Sequence, residues 1–226
     1  YDLVNQFAEA RGWAVNWDVQ FSTAAVLQQL AKGRAHIGAA GLTRLASRDE
    51  RFTPGPVHNR VREQLICNRH MAPLPTTPAK LGGVEIKVVS DSSYVETLKQ
   101  LTNENPAITF TQTDKKGTEQ LLVEVFEQKL ECTVADSNIV DINRRSMPSL
   151  AVVMELSPDQ EIGWYLPKGS DRLAASAHEW MSSAAGISAI ARVDAHYYAY
   201  ISEFDFVDLN TLVNRIENRL PRYRNE

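Results

Sequence analysis

The sequence predicts an α/β protein built as two similar lobes. Two observations carry that expectation: a helix–turn–strand unit that occurs twice, and two punctuated stretches where the chain can pass between lobes. Sliding the chain against itself by 95 positions lays "TAAVLQQLAKGRAHIGAAGL" (Thr23 to Leu42) over "TEQLLVEVFEQKLECTVADS" (Thr118 to Ser137). Val26 then meets Leu121, Leu27 meets Leu122, Leu30 meets Val125 and Ala31 meets Phe126. Each set follows the i, i+1, i+4, i+5 spacing of a helix laid on a sheet. Each unit opens on a threonine, expected as the helix N-cap, and closes on a strand, Ile37 to Ala40 or Cys132 to Ala135. A chain of 226 residues is long for one core and comfortable for two.

Composition narrows the class. Apolar residues at 43% and charged residues at 23% are those of a soluble globular protein. No run approaches the ~18 apolar residues of a membrane helix. A net charge of −4 with scattered basic residues argues against a nucleic-acid partner, and "NRVR" and "LPRYR" read as solvated surface.

In chain order, Leu3, Val4 and Phe7 share one helical face, and Gly12 stops that helix. Residues Ile37 to Gly41 read as a strand covered on both faces. "RHMAPLPTTPAKLGG" (69 to 83) reads as the crossing into a second lobe. The strand "VEIKVVS" follows, then "DSSYVETLKQL", a helix beginning near Ser92 or Ser93. The return crossing is expected near "EIGWYLPKGS" (161 to 170), an aromatic strand ended by Pro167 and Gly169. Leu209, Leu212, Val213, Ile216 and Leu220 form the stripe of a last amphipathic helix. Cys67 and Cys132 lie in apolar strand-like runs and are expected as buried free thiols, since their spacing suggests no framework. The domains expected are 1–69 and 162–200 for one lobe, 70–161 for the other, and 201–226 as a terminal helix and linker.

The chemistry is more specific in what it leaves out. None of the five histidines pairs at zinc spacing, so no metal site is expected, and no nucleotide or dinucleotide fingerprint calls for a cofactor. What remains is one guanidinium, Arg48, just past a strand end; hydroxyls at helix starts; and Asp136 at the end of the second strand. An arginine holds a carboxylate bidentately, helix N-termini add to that grip, and an aspartate on the facing lobe takes an ammonium. The set suits an α-amino acid or a peptide end. For Arg48 a surface ion pair with Asp49 or Glu50 is the plain alternative.

"AAGLTRLASRDERFTPGPV" resembles the signature of the periplasmic solute-binding proteins for polar amino acids, in which a strand ends in Gly-hydrophobic-Thr, an Arg follows, and a Pro comes a few residues later. The resemblance implies a two-lobed periplasmic-binding-protein fold with its ligand in an interlobe cleft. It gives Arg48 and Thr43 the carboxylate-binding role, with Ser92 and Ser93 of the "SDSSYVETL" turn facing the same group. Asp136 of "ECTVADS" takes the ligand's amine. Asp91 stands where that family has glycine, and the usual first strand of the fold is missing before Tyr1.

"ECTVADSNIVDINRRSMPSLAVVMEL" and "FDFVDLNTLVNRIENRLPRYR" resemble the non-catalytic module of the membrane-bound lytic murein transglycosylases, over the whole chain. That likeness implies a regulatory module that senses amino acids or peptidoglycan-derived peptides. It implies a periplasmic location with the parent anchored at the outer membrane, and a C-terminal lysozyme-like catalytic domain as partner. That domain's "ES"-type catalytic helix has no counterpart here. The alternatives are a free amino-acid-binding protein of a transporter, an enzyme using Glu161 or His58 as acid or base, and an effector domain of a DNA-binding regulator.

Overall fold

In the computed structural model, which describes residues 1–197, the apolar face of α1 (Asp2–Ala10) buries Leu3, Val4 and Phe7 against Trp164, Ala177 and Trp180. Gly12 ends that helix in the left-handed conformation at φ 69°, which glycine adopts without strain. The stripe from Leu209 to Leu220 lies outside the described residues.

The first unit is a three-stranded sheet of order β1-β8-β2, formed by β1 (Gly38–Thr43), β2 (Phe52–Val61) and β8 (Gln160–Pro167). Both of its ladders are antiparallel. Around it sit α1, α2 (Thr23–Ala31), the short α3 (Ala46–Asp49), α7 (Asp171–Ser182) and α8 (Ala184–Tyr197). Leu27 and Leu30 of α2 pack on Leu42, Phe52 and Tyr165.

The second unit is a mixed five-stranded sheet of order β5-β4-β6-β3-β7. Its strands are β3 (Glu63–Asn68), β4 (Ile86–Val89), β5 (Phe110–Thr113), β6 (Cys132–Asp136) and β7 (Leu150–Glu155). The β4 strand runs parallel to β5 and β6, whereas β3 runs antiparallel to β6 and β7. The helices α4 (Ser93–Glu104), α5 (Thr118–Phe126) and α6 (Ser137–Asn143) complete it. Tyr94, Val95 and Leu98 of α4 fill one face of the sheet, and Leu121, Leu122 and Val125 of α5 fill the other. Two covered faces explain why β6 is buried along its whole length.

The repeated units therefore fall in different sheets, α2–β1 in the first and α5–β6 in the second. Several expectations need correction. The chain crosses at Arg62, between β2 and β3, and returns between Leu156 and Asp159, rather than at 69 and 161. The run 63–68 belongs to the second sheet. The prolines at 69–83 mark a loop inside the second unit, the crossing at Arg62 is extended chain with no proline or glycine to announce it, and the return passes through Pro158. Hydrogen bonds tie the two crossings together: Leu156 N–H donates to the Glu63 carbonyl at 2.7 Å, and Glu63 N–H to Ser157 Oγ at 2.9 Å. Arg62 also pairs with Glu155 and Asp159, at 2.8 Å each.

Cys67 and Cys132 are joined in a disulfide and are not free thiols. They stand directly opposite each other in the β3–β6 ladder, a neighbourhood that a separation of 65 residues along the chain conceals. The run Ile37 to Gly41 is not covered on both faces either. The β1 strand lies at the sheet edge, its register shifts between Gly38 and Leu42, and Gly41 bulges outward at φ 64°, leaving Ala40 and Gly41 exposed. The N-caps are Ser22, whose hydroxyl accepts from Ala25 N–H, and Gly117, whose N–H donates to Gln120 Oε1. Thr23 and Thr118 are instead the first residues inside their helices.

Candidate functional site

Thr23 and Thr118, released from capping, open onto a cleft of about 260 Å³ between the two units. The first unit contributes Gly41 and Thr43 from β1, and Arg48 from α3. The second contributes Ser92, Ser93 and Tyr94 at the start of α4, Glu119 beside Thr118, and Asp136 at the end of β6. All of the expected residues, Thr43, Arg48, Ser92, Ser93 and Asp136, thus line one cleft. Helices α2, α4 and α5 each begin at its wall, and their free N–H groups and dipoles favour an anion there. A wider depression of about 410 Å³ beside Lys115, Lys116 and Lys129 holds none of these residues.

Arg48 is 4% exposed and so is no surface ion pair. Burial lowers its pKa, and the nearby Tyr165, Glu96, Asp91 and Glu63 oppose that shift. It donates to the Thr43 carbonyl at 2.9 Å and, across the cleft, to the Asp91 carbonyl at 2.7 Å. Those bonds commit part of a five-donor fork and orient the rest. The loop that presents it is held by Tyr165, whose hydroxyl accepts from Leu45 N–H at 3.2 Å and donates to Asp49 Oδ1 at 2.7 Å. The Arg44 guanidinium covers the Tyr165 ring at 4.9 Å. Asp91, at the position where a glycine was expected, sits in the left-handed region at φ 57°. Aspartate is among the few other residues that tolerate this conformation, so the turn keeps its shape and its carbonyl reaches Arg48.

Across the cleft, Thr43 Oγ1 and Ser93 Oγ lie 3.1 Å apart, and Ser47 Oγ donates to Glu96 at 2.8 Å. Ser92 turns its hydroxyl to the Val89 carbonyl at 2.6 Å. The two walls therefore touch through polar contacts that a ligand could replace.

Asp136 is 5% exposed, and its Oδ1 finds no hydrogen-bond partner among the described residues. Its N–H donates to the Tyr94 hydroxyl at 3.2 Å. Burial pushes its carboxyl pKa up to about 7, with help from Glu63 and against the pull of Tyr94 and Arg48. Glu63 is the residue that sequence reading missed: it is fully buried, directly opposite Asp136, and burial raises its pKa too. Inside "VREQLICN" it looks like any polar residue between strands, and only the ladder brings it under the cleft. Glu161 and His58 do not line the cleft. Glu161 pairs with Arg60 at 3.0 Å, and burial pushes His58 down to about 4.

No family model matches the chain. A protein of Alkalilimnicola ehrlichii named membrane-bound lytic murein transglycosylase F 2 is 51% identical over 222 residues, covering 98% of this chain and 49% of that protein. One of Maricaulis maris named membrane-bound lytic murein transglycosylase F is 34% identical, covering 99% of this chain and 49% of that protein. The chain is homologous to the solute-binding-protein-like part of membrane-bound lytic murein transglycosylase F. It spans about half the length of these curated relatives. Solved structures agree on the fold. An ancestral arginine-binding protein bound to arginine superposes with a TM-score of 0.77 at 14% identity, covering 87% of this chain and 86% of that one. The arginine-binding protein of T. maritima, as a mutant, gives 0.76 at 13% identity, covering 88% and 83%. The fold of the chain is thus that of periplasmic amino-acid-binding proteins, and among the described residues no helix is long and apolar enough to cross a membrane.

Proposed function

We propose that the cleft binds the α-amino carboxylate end of an amino acid or of a peptidoglycan-derived peptide. In this reading Arg48 holds the carboxylate, with the hydroxyls of Thr43, Ser92 and Ser93 and the helix starts beside it, and Asp136 takes the ammonium. The observation that carries the reading is a buried guanidinium and a buried carboxylate on facing walls of one cleft. Its volume of about 260 Å³ falls just under the ~300–1,000 Å³ typical of drug-sized ligands, a size suited to an amino acid rather than a glycan strand.

Within the longer protein, the module serves as a periplasmic sensor attached to a lysozyme-like catalytic domain, with the parent anchored at the outer membrane. The relatives' names support this over a transporter's free binding protein. The ligand closes the two units only by the contacts it gains in the closed form over the open one. Lytic cleavage needs a carboxyl acid/base in a groove that holds the sugar, and a cleft of about 260 Å³ is sized for an amino acid rather than a glycan strand, so this chain alone is expected to release no anhydro-muropeptides from cell wall.

Calorimetry with the twenty L-amino acids and a cell-wall tripeptide tests the reading. Binding by the wild type and a loss of about 2–5 kcal/mol in Arg48→Ala are expected, with only partial recovery in Arg48→Lys because the bidentate fork is gone. Equal affinity in Arg48→Ala would remove Arg48 from the site.

A further inference from the structure

Glu63 opens β3, next to the crossing between the units, and lies behind the cleft wall, paired with the lining residue Asp136. Residues paired across an antiparallel ladder project to the same face, and like charges set directly opposite destabilise the pair. Glu63 and Asp136 are such a pair, at 0% and 5% exposure. Neither Glu63 oxygen, nor Asp136 Oδ1, finds a hydrogen-bond partner among the described residues.

Beyond the partial charges of the helix starts, one full positive charge, Arg48, acts on both carboxyls. Burial outweighs what favours the charged form of Glu63: Ser93 and Thr97 of α4 and Gln160 of β8, neutral polar groups close enough to stabilise it in part though without well-formed hydrogen bonds, and Arg48 as the cation acting on it. Tyr94, also from α4, faces both carboxyls and is held neutral, mainly by burial. Arg48 itself is shared with Asp91, Glu96 and Tyr165. Arg62, next in the chain, is taken by Glu155 and Asp159. A buried charge without full compensation takes up a proton instead.

We propose that Glu63 is a specificity-determining residue of the cleft: with Asp136 it forms one acid pair that holds a proton until the ligand's ammonium group takes its place. The proton leaves to solvent, the ligand keeps its own charge, and the pair goes from one negative charge to two as the cation arrives. Ligands lacking an ammonium cannot make this exchange, so the pair selects against plain carboxylic acids that Arg48 alone would accept. Below the pair's upper titration, affinity for an ammonium ligand rises with pH, by up to about tenfold per unit. The inference rests on the cleft being the amino-acid site.

Two measurements separate the claims. In the ligand-free protein, carbon-13 NMR of the side-chain carboxyls is expected to show Glu63 and Asp136 titrating together, one step lying near neutral pH. In Glu63→Gln the Asp136 midpoint should fall by more than about one unit. Two independent titrations in the ordinary carboxylate range, or an unmoved Asp136, would overturn the acid pair. The wild-type arm decides this even if the variant fails to fold. Calorimetry with L-arginine and L-glutamine in phosphate and in bis-Tris at pH 6 is expected to show release of close to one proton on binding, and much less in Glu63→Gln. Binding with no release, or release unchanged in the variant, overturns the exchange. If neither these two nor any other amino acid or the tripeptide of the screen binds, the function proposed above fails, while the titration still decides whether the pair shares a proton.

Discussion

The two copies of the helix–turn–strand unit share a frame and end in opposite ways. The β6 strand is the centre of its sheet, covered on both faces, and stops squarely on Asp136. The β1 strand is an edge, bulged at Gly41, and hands over through a two-residue link to the single-turn helix α3, which carries Arg48. The anionic end of the cleft is therefore fixed by a ladder, and the cationic end by side chains. A carboxylate on a rigid strand can be kept strained, because its neighbours hold it. A guanidinium on a single-turn helix can adjust to what it grips, and its grip depends on a few bonds that single substitutions remove.

The largest expected effect falls on the ladder. Replacing Cys67 and Cys132 by serine opens a bridge between residues 65 apart, which the chain-entropy account values at about 4 kcal/mol. The loss should appear in amide exchange as weaker protection of β3 and β6, with β2 and β8 less affected. Equal loss in both sheets would break the contrast.

Next comes the strain at Asp136. Its carboxyl is raised to about 7 in the folded protein, whereas an unfolded aspartate titrates near ~3.9. Between those values the folded chain binds more protons than the unfolded one, so ligand-free stability falls as pH rises through that window. Asp136→Asn removes the buried charge and should stabilise the ligand-free protein at pH 7.5 by about 1–3 kcal/mol, while weakening ligand binding. Thermal melts at pH 5 and 7.5 check the sign. A variant less stable than wild type at pH 7.5 would mean that Asp136 is held by bonds rather than strained.

Smaller again is the loop end. Tyr165→Phe loses the acceptor for Leu45 N–H and the donor to Asp49, about 1–2 kcal/mol of stability. It should lower ligand affinity without moving the Asp136 titration. A shifted titration would show that the two ends are not independent.

The same contrast decides what could be read in advance. Arg48, Ser93 and Asp136 sit at strand ends and helix starts, places that local spacing and the likeness to amino-acid-binding proteins mark directly. Asp91 looked like a departure and proved compatible, because its backbone takes the glycine conformation. What stayed hidden depends on partners distant in sequence: the Cys67–Cys132 bridge, Glu63 opposite Asp136, and a crossing at Arg62 that runs straight through extended chain. The repeat points to Thr23 and Thr118 as caps, whereas a serine and a glycine one position earlier take that role and leave the threonines to the cleft.

The most direct measurement is a crystal structure of the protein with a bound L-amino acid found by the calorimetric screen. The account predicts the carboxylate on the Arg48 fork and the ammonium against Asp136, with the ligand in the place of the Thr43–Ser93 contact. An amino acid seated elsewhere, or one in the cleft with its ammonium directed away from Asp136, would contradict it.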